Sequence, residues 1–296
     1  MYNSMSGRIT ARFFQRPAAE VARAILGTLL VRRLPDLADP TKSVRVSGVV
    51  VEAEAYAGSE DPCCNTFGVR HTERNHIMWG APGGVYVYFT YGMHHCMNIV
   101  AQPPGAAVLL RALQPLENPQ MMLALTGRPP SDITTLDSAL LDDRSRRKEC
   151  RALCEVASGP ARLCRAFNLT VKSHNGADVT APESDMWLEY FAGDPAPEST
   201  SSTSNSSTPS TPSLLSTDSA GWSIGVTSRV GLPSSSPAAA WPLRFFVNGN
   251  ACVSKGRPTI ATALPEVPLA KAKETPSTSS HQNSGGRASK RKKRKR

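Results

Sequence analysis

The chain has 296 residues, 40% of them hydrophobic and 20% charged, with a formal net charge of +10. That apolar share can build a real core in one large domain or two, and it excludes a chain disordered throughout. Eight of the positive charges fall in the terminal RASKRKKRKR, residues 287–296, so the rest of the chain carries only +2; a block of this kind reads as a nuclear localisation signal, a nucleic-acid-binding arm or both.

In chain order, MYNSMSGRITARFF lacks the apolar centre of a secretory signal, and no later run approaches the roughly 20 apolar residues of a membrane span. A soluble, intracellular protein without membrane contact is expected. RPAAEVARAILG predicts a short helix, with Pro17 at its start, Val21, Ala24 and Ile25 at helical spacing, and Gly27 as a stop. Runs rich in Val, Ile and Tyr at 29–34, 44–56, 85–91, 94–102 and 106–116 predict strands, and their close spacing without intervening helices predicts a curved antiparallel sheet. Between them, residues 57–84 carry Gly, Pro, Asn and charge, and RHTERN is expected in an exposed loop. From about residue 137 the pattern turns helical and charged. SGPARLCRAFNL predicts a helix capped by Ser158 before Pro160, with Leu163 and Phe167 on its apolar stripe. Residues 195–220 are Ser/Thr/Pro-rich and nearly devoid of large side chains; they cannot repay the entropy of ordering, and a disordered insertion is expected. WSIGVTSRVG and WPLRFFVNG read as closing strands, and order is expected to end near residue 258, leaving 259–296 as a disordered tail. The predicted fold class is α+β: a single domain over 8–258, built on a curved, mainly antiparallel β-sheet packed by helices.

The seven cysteines are an odd number, and none forms a CxxC pair, so neither a disulfide framework nor a zinc ribbon is indicated. HHC at 94–96 lacks partners at ligand spacing, and no metal site is expected. Two features carry chemistry. Strand alternation in VEAEAY puts Glu52, Glu54 and Tyr56 on one face, opposite Val49, Val51, Ala53 and Ala55. The acids must face something polar, either water or a substrate. In VYVYFTYG, Tyr86 and Tyr88 share a face and Tyr91 falls where YGM should turn sharply. Such a cluster serves core packing or a stacking surface for bases, and the basic loop and tail favour the second use.

VEAEAYAGSEDP, RNHIMWGAPGGVYVYFTYGMHHCMNIV, VLLRALQP, SGPARLC and PLRFFVNG resemble, in order and spacing, the alkyladenine (3-methyladenine, methylpurine) DNA glycosylase family over roughly residues 8–258. The resemblance implies an enzyme that flips a damaged purine from duplex DNA and hydrolyses its glycosidic bond. Matched motif to motif, Glu54 falls on the general base, Arg111 on the arginine that holds Glu54 and its water, and Val230 on a residue whose carbonyl contacts that water. Tyr56 matches the tyrosine stacking on one face of the base and Tyr88 the one closing its edge. Asn98 matches the asparagine that collides with the 2-amino group of normal guanine. Tyr91 matches the wedge entering the vacated stack, with Met93 beside it. Asn65 stands where the family commonly has a histidine, which puts the range of neutral lesions in doubt. The resemblance assigns Glu52 no role. With no lysine at the matched pocket positions, a monofunctional hydrolase is expected, with no metal or organic cofactor. Its expected partner is double-stranded DNA containing damaged purines, met as a monomer in the nucleus. The competing reading is a non-catalytic nucleic-acid-binding module whose acids face solvent.

Overall fold

In the computed structural model, residues 7–127, 151–190 and 223–254 are described. The predicted insertion, the basic tail and the charged stretch from 137 to 150 lie outside them.

The fold is organised by one long strand. SVRVSGVVVEAEAY forms β2 (Ser43–Tyr56), and β-branched residues over its first nine positions favour the extended backbone. Along one edge its first half pairs with β1 (Leu29–Pro35), from Leu29↔Val49 to Pro35↔Ser43. On the same side its second half pairs with a strand from the far end of the chain, β8 (Arg244–Val247), through Glu52↔Phe246 and Glu54↔Arg244. Its other edge carries β5 (Ala107–Glu117). Beyond β5 lie β4 (His94–Val100) and β3 (Val85–Thr90), which form a hairpin. Outside β1 lies β6 (Met186–Glu189), and β7 (Ile224–Thr227) completes the sheet beside β8. All these pairings are antiparallel, and the eight strands make one curled sheet in a single domain. The register of β2 against β5 slips on both sides of Glu52, and such bulges bend a strand and sharpen its twist.

The helices are short and cover one side. After α1 (Ala11–Phe14), α2 (Ala18–Ala24) buries Ala18, Val21 and Ala22 against β2 and β5. A third helix, α3 (Pro119–Leu125), follows β5 and buries Met121, Met122 and Leu123. The predicted helix in SGPARLC is α4 (Pro160–Ala166), which packs Leu163 and Cys164 against β4 and β5. A single turn, α5 (Val171–His174), is closed by a capping box between Thr170 and Ser173.

The structure corrects the cap of α4. Gly159, not Ser158, precedes Pro160, at φ 114, a conformation that a side chain would resist. The Gly159 N–H donates instead to the carbonyl of Arg111 (2.9 Å), so this motif is tied to β5 at Arg111. Strand β6 and helices α1 and α3 were not foreseen. MWLE is too short to show a period, and its Trp187 is buried beneath the Arg8 guanidinium, 3.9 Å from the ring centre. The six cysteines among the described residues are free.

Candidate active site

The second half of β2 runs between β5 and β8, so both of its edges are paired. Ala53 and Ala55 enter the main core, as alternation predicts. The opposite face does not meet solvent: Glu52 and Glu54 are both fully buried. The reading of solvent-facing acids therefore fails. Burying two carboxylates in this way is tolerable only if each is matched by cations and hydrogen-bond donors.

The two acids are matched differently. Glu52 Oε1 accepts from Arg111 Nε (2.8 Å), Arg244 Nε (2.7 Å) and Ser254 Oγ (2.9 Å), and its Oε2 from the Ser254 N–H (2.7 Å). Burial pushes its carboxyl up, but Arg111, Arg244 and Ser254 together outweigh that and hold it below the ordinary range. Glu52 is thus held in its charged form as a counter-ion to the two arginines. Glu54 Oε1 accepts from the Val230 N–H (2.7 Å) and lies 3.2 Å from Arg111 Nη1; its Oε2 accepts from the Tyr56 hydroxyl (3.0 Å). Here burial dominates, so the carboxyl stands above its ordinary range despite Arg111, the Val230 N–H and Tyr56, with Glu52 adding to the rise. Two carboxylates on one strand are pushed in opposite directions, the pattern that separates a structural charge from a proton acceptor.

Arg111 joins the two, with Nε on Glu52, Nη1 by Glu54 and Nη2 on Ser254 Oγ (3.2 Å). The Tyr56 phenol is driven well up by burial and by Glu54, so it stays protonated and donates. Val230 meets Glu54 through its N–H.

Beside the acids lies a small apolar cluster separate from the main core: Cys64, Met78, Tyr86 and Ala107, with Tyr56, Ile77 and Tyr88 packed around it. Tyr86 and Tyr88 stack on the same side of β3 with ring centres 5.6 Å apart, and both Tyr56 and Tyr88 are half-buried. Asn98 lies opposite Tyr86 in the β3–β4 register, is buried, and donates Nδ2 to the Tyr86 carbonyl (3.2 Å). Asn65 is exposed at the border of this cluster, with Nδ2 donating to the Tyr86 hydroxyl (3.1 Å) and its main-chain carbonyl held by Asn75 Nδ2 (2.8 Å). The strand that carries Tyr86 and Tyr88 leads into a tight turn that exposes Tyr91 (83%) and Met93 (61%). Tyr91 has φ 52 and Gly92 φ 65, a left-handed pair that turns the chain back into β4.

The structure therefore brings Glu54, Arg111, Val230 and Tyr56 into one polar cluster, and Tyr88, Asn98 and Asn65 around Tyr86. Tyr56 and Tyr88 belong to the same apolar cluster and link the two groups, while Tyr91 and Met93 stand apart at the hairpin tip. Sequence reasoning placed Glu52 and Tyr86 beside the site without assigning them a role in it, and missed Arg244, Ser254 and the buried pair Asp61–Arg229. Asp61 and Arg229 both lie in motifs already singled out, GSEDP and SRVG, but no local pattern connects positions so far apart. Among the described residues no three His, Cys, Asp or Glu side chains gather as a metal site would require.

The model of the methylpurine-DNA glycosylase family matches residues 12–251. The chain is similar to a DNA-3-methyladenine glycosylase of Homo sapiens, 36% identical over 256 residues that span 86% of this chain and 71% of that protein. A DNA-3-methyladenine glycosylase of Mus musculus is 36% identical over 84% of this chain and 62% of its own length. A putative 3-methyladenine DNA glycosylase of Methanocella arvoryzae is 34% identical over 83% of this chain and 95% of its own.

Proposed function

The chain belongs to the methylpurine-DNA glycosylase family, and is in that sense a DNA repair glycosylase; we propose that it releases alkylated purines from duplex DNA by attack of a Glu54-activated water, leaving an abasic site. The observation that carries this reading is the state of Glu54. Two of the roughly four acceptor directions of a carboxylate are taken by the Val230 N–H and the Tyr56 hydroxyl, and Arg111 Nη1 pairs with it at 3.2 Å, which fixes its orientation and leaves acceptor capacity for a water. Its raised proton affinity makes it a better base than an exposed carboxylate.

In the proposed reaction the damaged base stacks on Tyr56, bounded by Tyr88 and Asn98. The water oxygen bonds to C1′, its proton passes to Glu54, and the electron pair of the N-glycosidic bond leaves with the base. A purine alkylated at N3 or N7 is cationic and departs neutral, so it needs no further proton. The Glu54 carboxylate also opposes the positive charge that develops on the sugar. Arg111, tied to Glu52, keeps that carboxylate from turning away. Asn98 excludes normal guanine, and Tyr91 with Met93 fills the stack left by the flipped nucleotide. 3-Methyladenine and 7-methylguanine are the proposed substrates. Hypoxanthine and ethenoadenine are handled less well, because Asn65 lacks an imidazole. The enzyme acts by hydrolysis alone, as a monomer on double-stranded DNA, and the basic run at 287–296 directs it to the nucleus.

Glu54→Gln tests the reading. Release of 7-methylguanine from alkylated DNA should fall about 10³-fold while binding to a lesion duplex is retained. Release within tenfold of wild type, or a wild-type protein that releases neither 7-methylguanine nor 3-methyladenine, would refute it.

A further inference from the structure

Behind Tyr56 lies an ion pair to which the reaction as derived assigns no part. Arg229 and Asp61 have fully buried side chains. Arg229 Nη1 donates to Asp61 Oδ2 and to the Ala55 carbonyl (3.0 Å); Nη2 donates to Asp61 Oδ1 (2.9 Å) and the Ala238 carbonyl (3.2 Å). Asp61 also accepts from the N–H groups of Ala57 (3.1 Å) and Cys63 (3.0 Å). The pair is therefore bidentate and held by the main chain on both sides. The guanidinium carbon lies 4.6 Å from the centre of the Tyr56 ring, over its face.

Two consequences follow. One face of Tyr56 is closed by a buried guanidinium, so a base can stack only on the other. A cationic purine stacked there would sit roughly 8 Å from the guanidinium, one stacking distance beyond the ring, with little water between. An uncompensated arginine in this place would repel the very bases that leave most readily.

We infer that Asp61 is a specificity-determining residue: by neutralising Arg229 behind the stacking tyrosine, it allows that wall to accept positively charged bases. This rests on the glycosylase reading with Tyr56 as the wall. A neutral base feels the same buried cation far less, so the pair sets the preference between charged and uncharged lesions rather than activity as a whole.

The test compares single-turnover kcat/KM on duplexes holding 7-methylguanine, which is cationic, or hypoxanthine, which is neutral, using the full chain. Asp61→Asn should lower the ratio of the two about tenfold. Arg229→Gln leaves an anion behind the ring and should move the ratio the other way. The double variant Asp61→Asn/Arg229→Gln carries neither charge and should return it to within about threefold of wild type. Because both substrates meet the same preparation, the ratio does not depend on how much of a destabilised variant is folded. Should Asp61→Asn not yield folded protein, the Arg229→Gln and double variants decide alone. An unchanged ratio in the single variants, or shifts of the same sign in both, overturns the inference while leaving the glycosylase reading standing. A wild type that releases neither base sinks both.

Discussion

Replacing Glu52 by glutamine asks whether the second carboxylate supports the first. Glu52 lies in a fully buried place with four close donors, two of them guanidinium nitrogens. Glutamine keeps the shape, but it cannot balance two arginines, and its amide nitrogen turns donors toward donors. Removing one partner of a buried ion pair costs about 3–5 kcal/mol. At about 2–4 °C per kcal/mol for a domain of this size, Tm at pH 7 should fall by roughly 10 °C. The sign with pH follows from the depressed carboxyl of Glu52. Its contribution is complete above the unfolded carboxyl value, about 4.3, and is lost as pH falls through the lower folded value. The Tm gap between wild type and Glu52→Gln should therefore be widest near neutrality and narrow below about pH 4. Catalysis should move as well. Without Glu52, Arg111 acts on Glu54 alone and an anion that raised the Glu54 carboxyl is gone, so the acid limb of kcat/KM should shift to lower pH. Thermal melts across pH and single-turnover pH profiles measure both effects. A Tm at pH 7 within about 2 °C of wild type, or an acid limb that moves upward, would refute the counter-ion role.

Tyr91 is exposed and left-handed, a conformation that costs a non-glycine residue about 1–2 kcal/mol, so Tyr91→Gly should raise stability slightly while weakening lesion-duplex binding at least about tenfold. A lower Tm with unchanged affinity, measured by melting and fluorescence anisotropy, would count against the wedge assignment. Asn65→His places an imidazole beside the Tyr86 hydroxyl and should raise excision of hypoxanthine and ethenoadenine relative to 7-methylguanine. If every relative rate is unchanged in a side-by-side assay, the missing imidazole does not limit substrate range.

Much of the site was legible because strand alternation is a local property. Period two placed Glu52, Glu54 and Tyr56 on one face and paired Tyr86 with Tyr88, and the density of β-branched and aromatic residues marked the hairpin with its turn at Tyr91. The motif resemblance separated Glu54 from Glu52, which alternation could not do. Burial was the part that alternation left open. A polar face on an otherwise apolar strand can meet water or a partner, and here it is roofed by Arg111, Arg244 and Ser254, the last 202 positions from Glu52. Short elements were missed for a related reason: MWLE holds four residues, too few to show a period, and becomes a strand because β1 offers it an edge.

The amino-acid sequence by itself determined which residues can act: strand, turn and carboxylate-plus-tyrosine patterns depend on neighbours a few positions away. Only the tertiary structure decided what each acid is, because a carboxyl's proton affinity is set by the charges and donors around it. Arg244, Ser254 and Val230 reach Glu52 and Glu54 from the far end of the chain, and Arg229 reaches Tyr56 from there too. One carboxyl is held toward its charged form and its neighbour two positions on is pushed toward its protonated form, by contacts that no stretch of sequence contains.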